Sequence, residues 1–508
     1  MIKILHIIDK LSSTGPTRSL IASAKYAFKQ NLIQEHCIIT LHSDVYPLTL
    51  IQAKQAQIKV FRKPDREILI QEIEKADIVQ IHFWNNPSIY EFLSLDFPPM
   101  RLLLWFKIIG DKPPQIITTE LLSYSDFGLV TSPYTLNLPV FDHIPENQKD
   151  IVYGIADEDR LKNLQPQPHD TFNVGYIGTV NFAKMHPNYI SMSGEVSIPN
   201  VKFIVCGGGI EKQLQEEVNQ LGIADKFDFR GYVENITQIL AILDVFGYPL
   251  CEDTYATSEK SLQEAMYAGI PPVVFPYGGV KCLVTHNQTG LIVNSESEYR
   301  KAIEYLYHHP EERIRLGKNA RHYALENFNS EYWAKKLHNI YQQMMALPKR
   351  KRLWQDTINF SQNKTPAQLF IESLGESAPQ FQVSLSCDDT QELLSAEAKI
   401  AQSSVLLSGG EGGIIQYRNY YPEDAYLRLW CGLVLQNQNR YSSALSEFQI
   451  SLNLGFNHWR IYWYIAQCAI FLKDLDTAKT SLEYIINNNP QFIPAQKMLN
   501  SLFTEKKI

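Results

Sequence analysis

Along the first 150 residues, short apolar runs alternate with longer amphipathic stretches. Residues 2–8 form a run rich in β-branched side chains, and 37–41, 58–61, 77–82, 102–106 and 128–131 follow as further predicted strands. After the first, Ser12-Ser13-Thr14-Gly15 reads as a loop. Pro16 before Thr17-Arg18-Ser19-Leu20 reads as a helix start, because a proline there gives up an N–H that has no partner anyway. Strands separated by helical stretches predict a parallel sheet with crossover helices. The alternation restarts after Pro166-Gln167-Pro168, with predicted strands at 172–177, 202–205, 227–229, 244–248, 272–275 and 291–293. A second α/β domain is therefore expected, with the boundary between 145 and 170, followed by an amphipathic helical stretch from Ser297 to Ala346.

The pattern changes after Pro348-Lys349-Arg350-Lys351-Arg352, a basic run that reads either as a solvated linker or as a patch for anionic lipid. Residues 353–424 are expected to be a linker and helical cap, and include the flexible Gly409-Gly410-Glu411-Gly412-Gly413. From Ala425 a repeat sets in. Gly432, Tyr441, Ala444, Phe448 and Leu452 recur 34 residues later as Ala466, Leu475, Ala478, Leu482 and Ile486, and Pro490 closes the second unit. That period and small/small/large pattern resemble the tetratricopeptide repeat, whose small residues let paired helices approach and whose concave stacks suit protein partners.

Composition narrows the class. A chain of 508 residues suggests roughly three folding units. With Gly 25 and Pro 26 it is not a low-complexity chain, and a net charge of −7 argues against a nucleic-acid coat. No run of about 18 apolar residues predicts a spanning helix. The N-terminal apolar run is broken by His6 and Asp9 and reads as a buried strand rather than a leader. Seven cysteines without metal or redox spacing fit a reduced, cytoplasmic chain.

Candidate chemistry concentrates in the second α/β domain. Val174-Gly175-Tyr176-Ile177-Gly178-Thr179 ends a strand in a glycine turn, with Lys184 six residues beyond Gly178, and Val205-Cys206-Gly207-Gly208-Gly209 is another strand running into glycines. Such turns let backbone N–H groups meet a phosphate. Next comes Pro249-Leu250-Cys251-Glu252-Asp253-Thr254-Tyr255-Ala256-Thr257-Ser258-Glu259-Lys260, leading into Ser261-Leu262-Gln263-Glu264-Ala265-Met266-Tyr267-Ala268-Gly269-Ile270-Pro271-Pro272-Val273-Val274. This segment resembles the donor-binding signature of family-4 glycosyltransferases. Arg230-Gly231-Tyr232-Val233, Gly278-Gly279 and Thr289-Gly290-Leu291-Ile292-Val293 resemble surrounding elements of the same family.

The resemblance implies two facing Rossmann-like domains (the GT-B fold), 1–155 on the acceptor side and 156–346 on the donor side, before a helical cap at 347–424 and repeats at 425–508. It implies transfer of a sugar from a nucleotide-diphosphate sugar to a glycan, lipid or protein acceptor, with retention of configuration and without a metal or other cofactor. It assigns His82, Lys184 and Glu252 to catalysis: His82 to position the sugar, Lys184 to offset charge on the leaving diphosphate, Glu252 to contact the sugar. Donor binding falls to Gly15, Gly178, Thr179, Gly231, Ala256, Thr257, Ser258 and Glu264, the last accepting hydrogen bonds from the ribose. The sequence departs from the family at two points. Thr179 stands where an Arg is usual, and Glu252 precedes Glu264 by 12 residues where the family has 8, so that either the loop carries an insertion or Ala256 occupies the first Glu position and that carboxylate is missing. Arg18 or Lys260 is a candidate to replace the missing positive charge, and Trp105 reads as a core residue. Two other functions stay open: a non-catalytic nucleotide-sugar scaffold whose repeats hold a protein, and a sugar-nucleotide epimerase. No nucleic-acid partner is expected, and peripheral contact with the inner membrane surface would run through the basic stretch 349–352.

Overall fold

Strand formation follows the apolar runs closely. The computed structural model describes residues 1–155, 158–354 and 364–504. In chain order the strands are β1 (Ile2–Ile8), β2 (Gln34–Thr40), β3 (Lys59–Arg62), β4 (Ile78–Phe83) and β5 (Leu102–Phe106), a small hairpin of β6 (Asp111–Lys112) and β7 (Gln115–Ile116), then β8 (Phe127–Val130) and β9 (Lys149–Ile151). All but the hairpin form one parallel sheet in the order β3-β2-β1-β4-β5-β8-β9. A second parallel sheet follows: β10 (Phe172–Ile177), β11 (Val201–Cys206), β12 (Phe227–Gly231), β13 (Val245–Tyr248), β14 (Pro272–Val274) and β15 (Leu291–Ile292), in the order β12-β11-β10-β13-β14-β15. Strands β4, β5 and β10 are buried along their whole length, as expected when helices cover both faces of a parallel sheet. The hairpin and β9 had no sequence signal, because two or three residues are too few to show a period.

Each sheet reverses its order once, between β1 and β4 and between β10 and β13. Such switch points open a crevice at the carboxyl ends of the strands, where α/β folds bind ligands. Gly15 and His82 lie at the first of these edges; Gly178 and the 249–259 segment lie at the second.

The amphipathic stretch expected from Ser297 to Ala346 is three helices, Glu296–His308, Pro310–Asn327 and Ser330–Met345. Pro310 has no N–H to continue the first, and the Asn329 side chain caps the third by accepting from the Tyr332 N–H at 2.8 Å. The third helix returns to the first sheet. Its Tyr341 hydroxyl donates to Gln80 Oε1 of β4 at 2.6 Å, and Lys336 pairs with Asp150 of β9 at 2.6 Å.

The basic run that follows is engaged internally. Arg350 and Arg352 share the two oxygens of Asp126, each at 2.7 Å, Lys351 pairs with Asp96, and Lys349 donates to the Glu74 carbonyl at 3.0 Å. The expected domain junction after 155 and residues 355–363 of the expected linker lie outside the described residues.

The chain divides into two units, Met1–Trp84 with Glu91–Asn359 and Asn85–Tyr90 with Phe360–Ile508. The second is helical. Its paired helices Ala425–Asn437/Tyr441–Asn453 and Arg460–Phe471/Leu475–Asn488 precede a last helix, Ile493–Thr504. Gly432 lies under the Phe448 ring so closely that a Cβ there would overlap it, which is the close approach expected of the small repeat positions. Trp430, Tyr417, Phe370 and Phe381 fill the core, so these tail aromatics are packing residues. At its centre the buried Glu397 carboxylate takes Arg460 at 2.9 Å and the Tyr464 hydroxyl at 2.6 Å.

Candidate active site

The edge of the second sheet is built from glycine turns that stack on one another. Gly178 follows β10 and donates its N–H to the Cys206 carbonyl of β11 at 2.9 Å, and Gly207 donates to the Gly231 carbonyl at the end of β12 at 2.7 Å. Gly207 has φ +145°, and a Cβ on it would overlap the Gly178 carbonyl oxygen, so only glycine allows this stacking. Thr179 is exposed at the rim, its carbonyl accepting the Tyr176 hydroxyl at 2.9 Å.

Lys184 lies against this turn. It is 9% exposed, and a Cβ added to Gly178 would lie 3.6 Å from its Nζ. Its ammonium is 2.8 Å from Glu259 Oε2, and the same oxygen accepts the Tyr248 hydroxyl at 2.5 Å. Burial opposes the Lys184 charge, but the Glu259 carboxylate outweighs burial and holds the ammonium above its ordinary pKa. Glu259 is a non-glycine residue at φ 26°, a left-handed conformation that costs on the order of 1 kcal/mol for a side-chain-bearing residue. Sequence reasoning missed it, because a Glu among polar loop residues carries no signal of its backbone angle. Glu252, expected at the sugar, is exposed in the turn after β13 and enters none of these bonds among the described residues.

Ala256, Thr257 and Ser258 are buried, and the loop they form is held from behind by Gly278-Gly279. The Gly279 N–H donates to the Ala256 carbonyl at 2.9 Å, and a Cβ on Gly279 would overlap the Thr257 carbonyl. The loop leads into the helix Lys260–Tyr267, which buries Glu264 to 5% exposure and pairs its carboxylate with Arg160. Gly231 has φ +60° and open space around its Cα.

The two sheet edges meet through side chains. Thr131 Oγ1 after β8 lies 2.8 Å from Thr257 Oγ1, and Arg18 donates to the Tyr232 hydroxyl at 3.2 Å. The Lys260 ammonium donates to the Gly15 carbonyl at 2.8 Å and to the Ile155 carbonyl at 3.1 Å. Burial, then Arg18 and Arg160, push the Lys260 pKa well down. Lys260, named as a possible replacement cation, thus bridges two carbonyls.

His82 stands near the end of β4 at 2% exposure and heads a row of imidazoles. His82 Nε2 is 3.1 Å from His6 Nδ1, His6 Nε2 is 2.9 Å from His36 Nδ1, and His36 Nε2 is 2.9 Å from Gln34 Oε1. Gln34 Nε2 then reaches His338 Nδ1 at 2.6 Å. Gln80 Nε2, which can only donate, lies 3.1 Å from His82 Nε2 and 3.3 Å from His6 Nδ1, so with each Nε2 protonated along the row it is His6 Nδ1 that accepts from Gln80. Burial first, then neighbouring positive charge, drives the His6 and His82 pKa values well down, and burial takes His36 to about 4, so the row is neutral at pH 7. Neither His6 nor His36 stood out in the sequence, since a parallel register is needed to bring residues of β1, β2 and β4 side by side.

Comparison with known proteins bears on the fold and the family. Residues 141–323 match the model of the family Glycosyl transferases group 1. D-rhamnosyltransferase WbpZ of Pseudomonas aeruginosa is 26% identical over 275 residues, 48% of this chain and 68% of that protein. EpsD of Bacillus subtilis is 21% identical over 201 residues, 39% of this chain, and the alignment spans about half of that relative's length, 52%. Among solved structures, a glycosyltransferase from Rickettsia africae superposes with a TM-score of 0.57 at 16% identity, covering 68% of this chain and 99% of that one. Anabaena Alr3699/HepE in complex with UDP-glucose superposes at 0.55 and 16% identity, covering 68% of this chain and 100% of that one. Over residues 141–323 the chain thus matches the family Glycosyl transferases group 1, within parallel-sheet α/β domains that share the GT-B fold of solved glycosyltransferases.

Proposed function

We propose that this chain is a glycosyltransferase that moves a sugar from a nucleotide-diphosphate sugar to a glycan, lipid or protein acceptor with retention of configuration. The observation that carries the reading is the gathering of Lys184, the stacked turns at Gly178, Gly207 and Gly231, and the helix bearing Glu264 at one switch point, inside the family-matched segment. That the HepE neighbour holds UDP-glucose on the same fold supports it. The donor diphosphate lies over the Gly178 turn, where Lys184 meets its charge. Glu264 accepts hydrogen bonds from the ribose hydroxyls, and His82 positions the sugar. The bond from the anomeric carbon to the phosphate oxygen breaks as the acceptor oxygen bonds to that carbon on the same face, and the acceptor proton passes to the leaving phosphate. No metal or cofactor is assigned a part. Residues 1–155 form the acceptor side, 156–346 the donor side, and the repeats at 425–508, tetratricopeptide-like, hold a protein partner. The reading is of a cytoplasmic enzyme; no helix among the described residues is long and apolar enough to cross a membrane. Contact with a membrane surface through residues 349–352 would require opening the internal contacts of that run.

The test is turnover of a panel of UDP, GDP and ADP sugars by the wild type, Lys184→Ala and Glu264→Ala. Loss of at least 100-fold in both variants is expected; wild-type rates in both would overturn the assignment. One observation favours a second reading: the Glu259 carboxylate already occupies Lys184, as it would in a scaffold that binds nucleotide sugars without turning them over. Tight binding with no turnover by the wild type would select it.

A further inference from the structure

The carboxyl edge of the first sheet gathers buried nitrogens that have nothing to bond. Lys107 directly follows β5, pinned there by its N–H donating to the Phe83 carbonyl at 3.0 Å. Its side chain is 6% exposed, and its Nζ has no hydrogen-bond partner among the described residues. The ammonium lies over the Trp105 ring, 2.8 Å from the centroid. Trp105 Nε1 and His82 Nδ1 are likewise without hydrogen-bond partners among the described residues, and the His82 ring packs on the same indole, 5.6 Å between ring centroids. The charged group that acts on Lys107 is another cation, Lys260, which with burial drives its pKa well down.

A buried ammonium without a counter-charge is costly to fold around, and an indole N–H can only donate. Two pure donors, Lys107 Nζ and Trp105 Nε1, therefore lie side by side with no acceptor supplied, at the carboxyl edge next to the switch point where an α/β sheet binds ligands. Neutral sugar hydroxyls would satisfy the indole but would leave the lysine without an anion. We propose that this edge is a pocket for an anionic oxygen group, a carboxylate or phosphate, carried by the sugar acceptor, with Lys107 as its counter-charge and Trp105 and His82 as its wall. This rests on the glycosyltransferase reading for the word acceptor; the anion preference itself does not.

The test uses the full chain, as wild type and Lys107→Met, and titrates methyl β-D-glucuronide, sn-glycerol 3-phosphate, methyl β-D-glucoside and UDP by calorimetry. Wild type is expected to favour one of the two anions over the neutral glucoside by at least tenfold, and Lys107→Met to bring that ratio within twofold. UDP affinity should stay within twofold, and Tm should not fall, since the variant removes an unpaired buried cation. Equal binding of charged and neutral glycosides, or a preference that survives in Lys107→Met, overturns the proposal. If instead Lys107→Met changes only the ratio of UDP-glucuronate to UDP-glucose binding, the anion belongs to the donor, and the acceptor assignment is overturned. Failure of UDP to bind at all would count against the glycosyltransferase reading and leave the glucuronide result to stand or fall separately.

Discussion

The Glu259 carboxylate lies 2.8 Å from the Lys184 ammonium beside the Gly178 turn, and Glu259 holds φ at 26°. A diphosphate at this edge must compete with that carboxylate for the lysine. Breaking a buried pair by removing one partner is costly, about 3–5 kcal/mol in general. Glu259→Gln is therefore expected to lower Tm without ligand, yet to bind UDP several-fold more tightly than wild type. Thermal melts with and without UDP, with calorimetry, check both signs; unchanged UDP affinity would mean that the carboxylate does not guard the lysine.

The loop Ala256-Thr257-Ser258 depends on the glycine behind it. A Cβ at Gly279 would overlap the Thr257 carbonyl, which is backbone and cannot swing aside. Gly279→Ala should cost about 1–3 kcal/mol, in the range of overpacked cores, and should weaken UDP binding by shifting the loop. Denaturant melts and a UDP titration measure the two effects.

In the helical unit, propensity and packing oppose each other at Gly432. Alanine in a helix interior is favoured over glycine by about 1 kcal/mol, but here its Cβ would overlap the Phe448 ring, itself fully buried. Packing wins if the helices Ala425–Asn437 and Tyr441–Asn453 cannot separate, so Gly432→Ala should destabilise by about 1–3 kcal/mol. Faster amide exchange over residues 425–453 than in wild type would show it, and slower exchange would mean that propensity dominates.

The histidine row sets an acid limit. Its members have folded-state pKa values below the ordinary 6.5, with His36 at about 4. The unfolded chain therefore binds more protons than the folded one below that value, so stability is full above about pH 6.5 and falls as pH drops toward 4. Each histidine contributes a slope of roughly 1.4 kcal/mol per pH unit in that window. Urea midpoints measured from pH 7.5 to 4.5 should fall, and less steeply in His36→Gln, which removes one titrating group.

Much of this was legible beforehand. All twelve predicted strands match described ones to within a few residues, because buried strands read as apolar runs whatever surrounds them. The glycine turns and Lys184 stand at short offsets from strand ends, and Glu264 was singled out by the resemblance of its segment to a family signature. Glu259, Lys107, Arg160 and the partners of His82 were not, since each is defined by what lies opposite it.

The sequence by itself determined two parallel α/β domains followed by helices, and the segment in which donor chemistry concentrates, since periodicity and turn residues are local properties of the chain. Only the tertiary structure decided which carboxylate faces Lys184. The left-handed Glu259 brings its carboxylate there, because a backbone angle is set by the packing around a loop and leaves no trace in the order of its side chains.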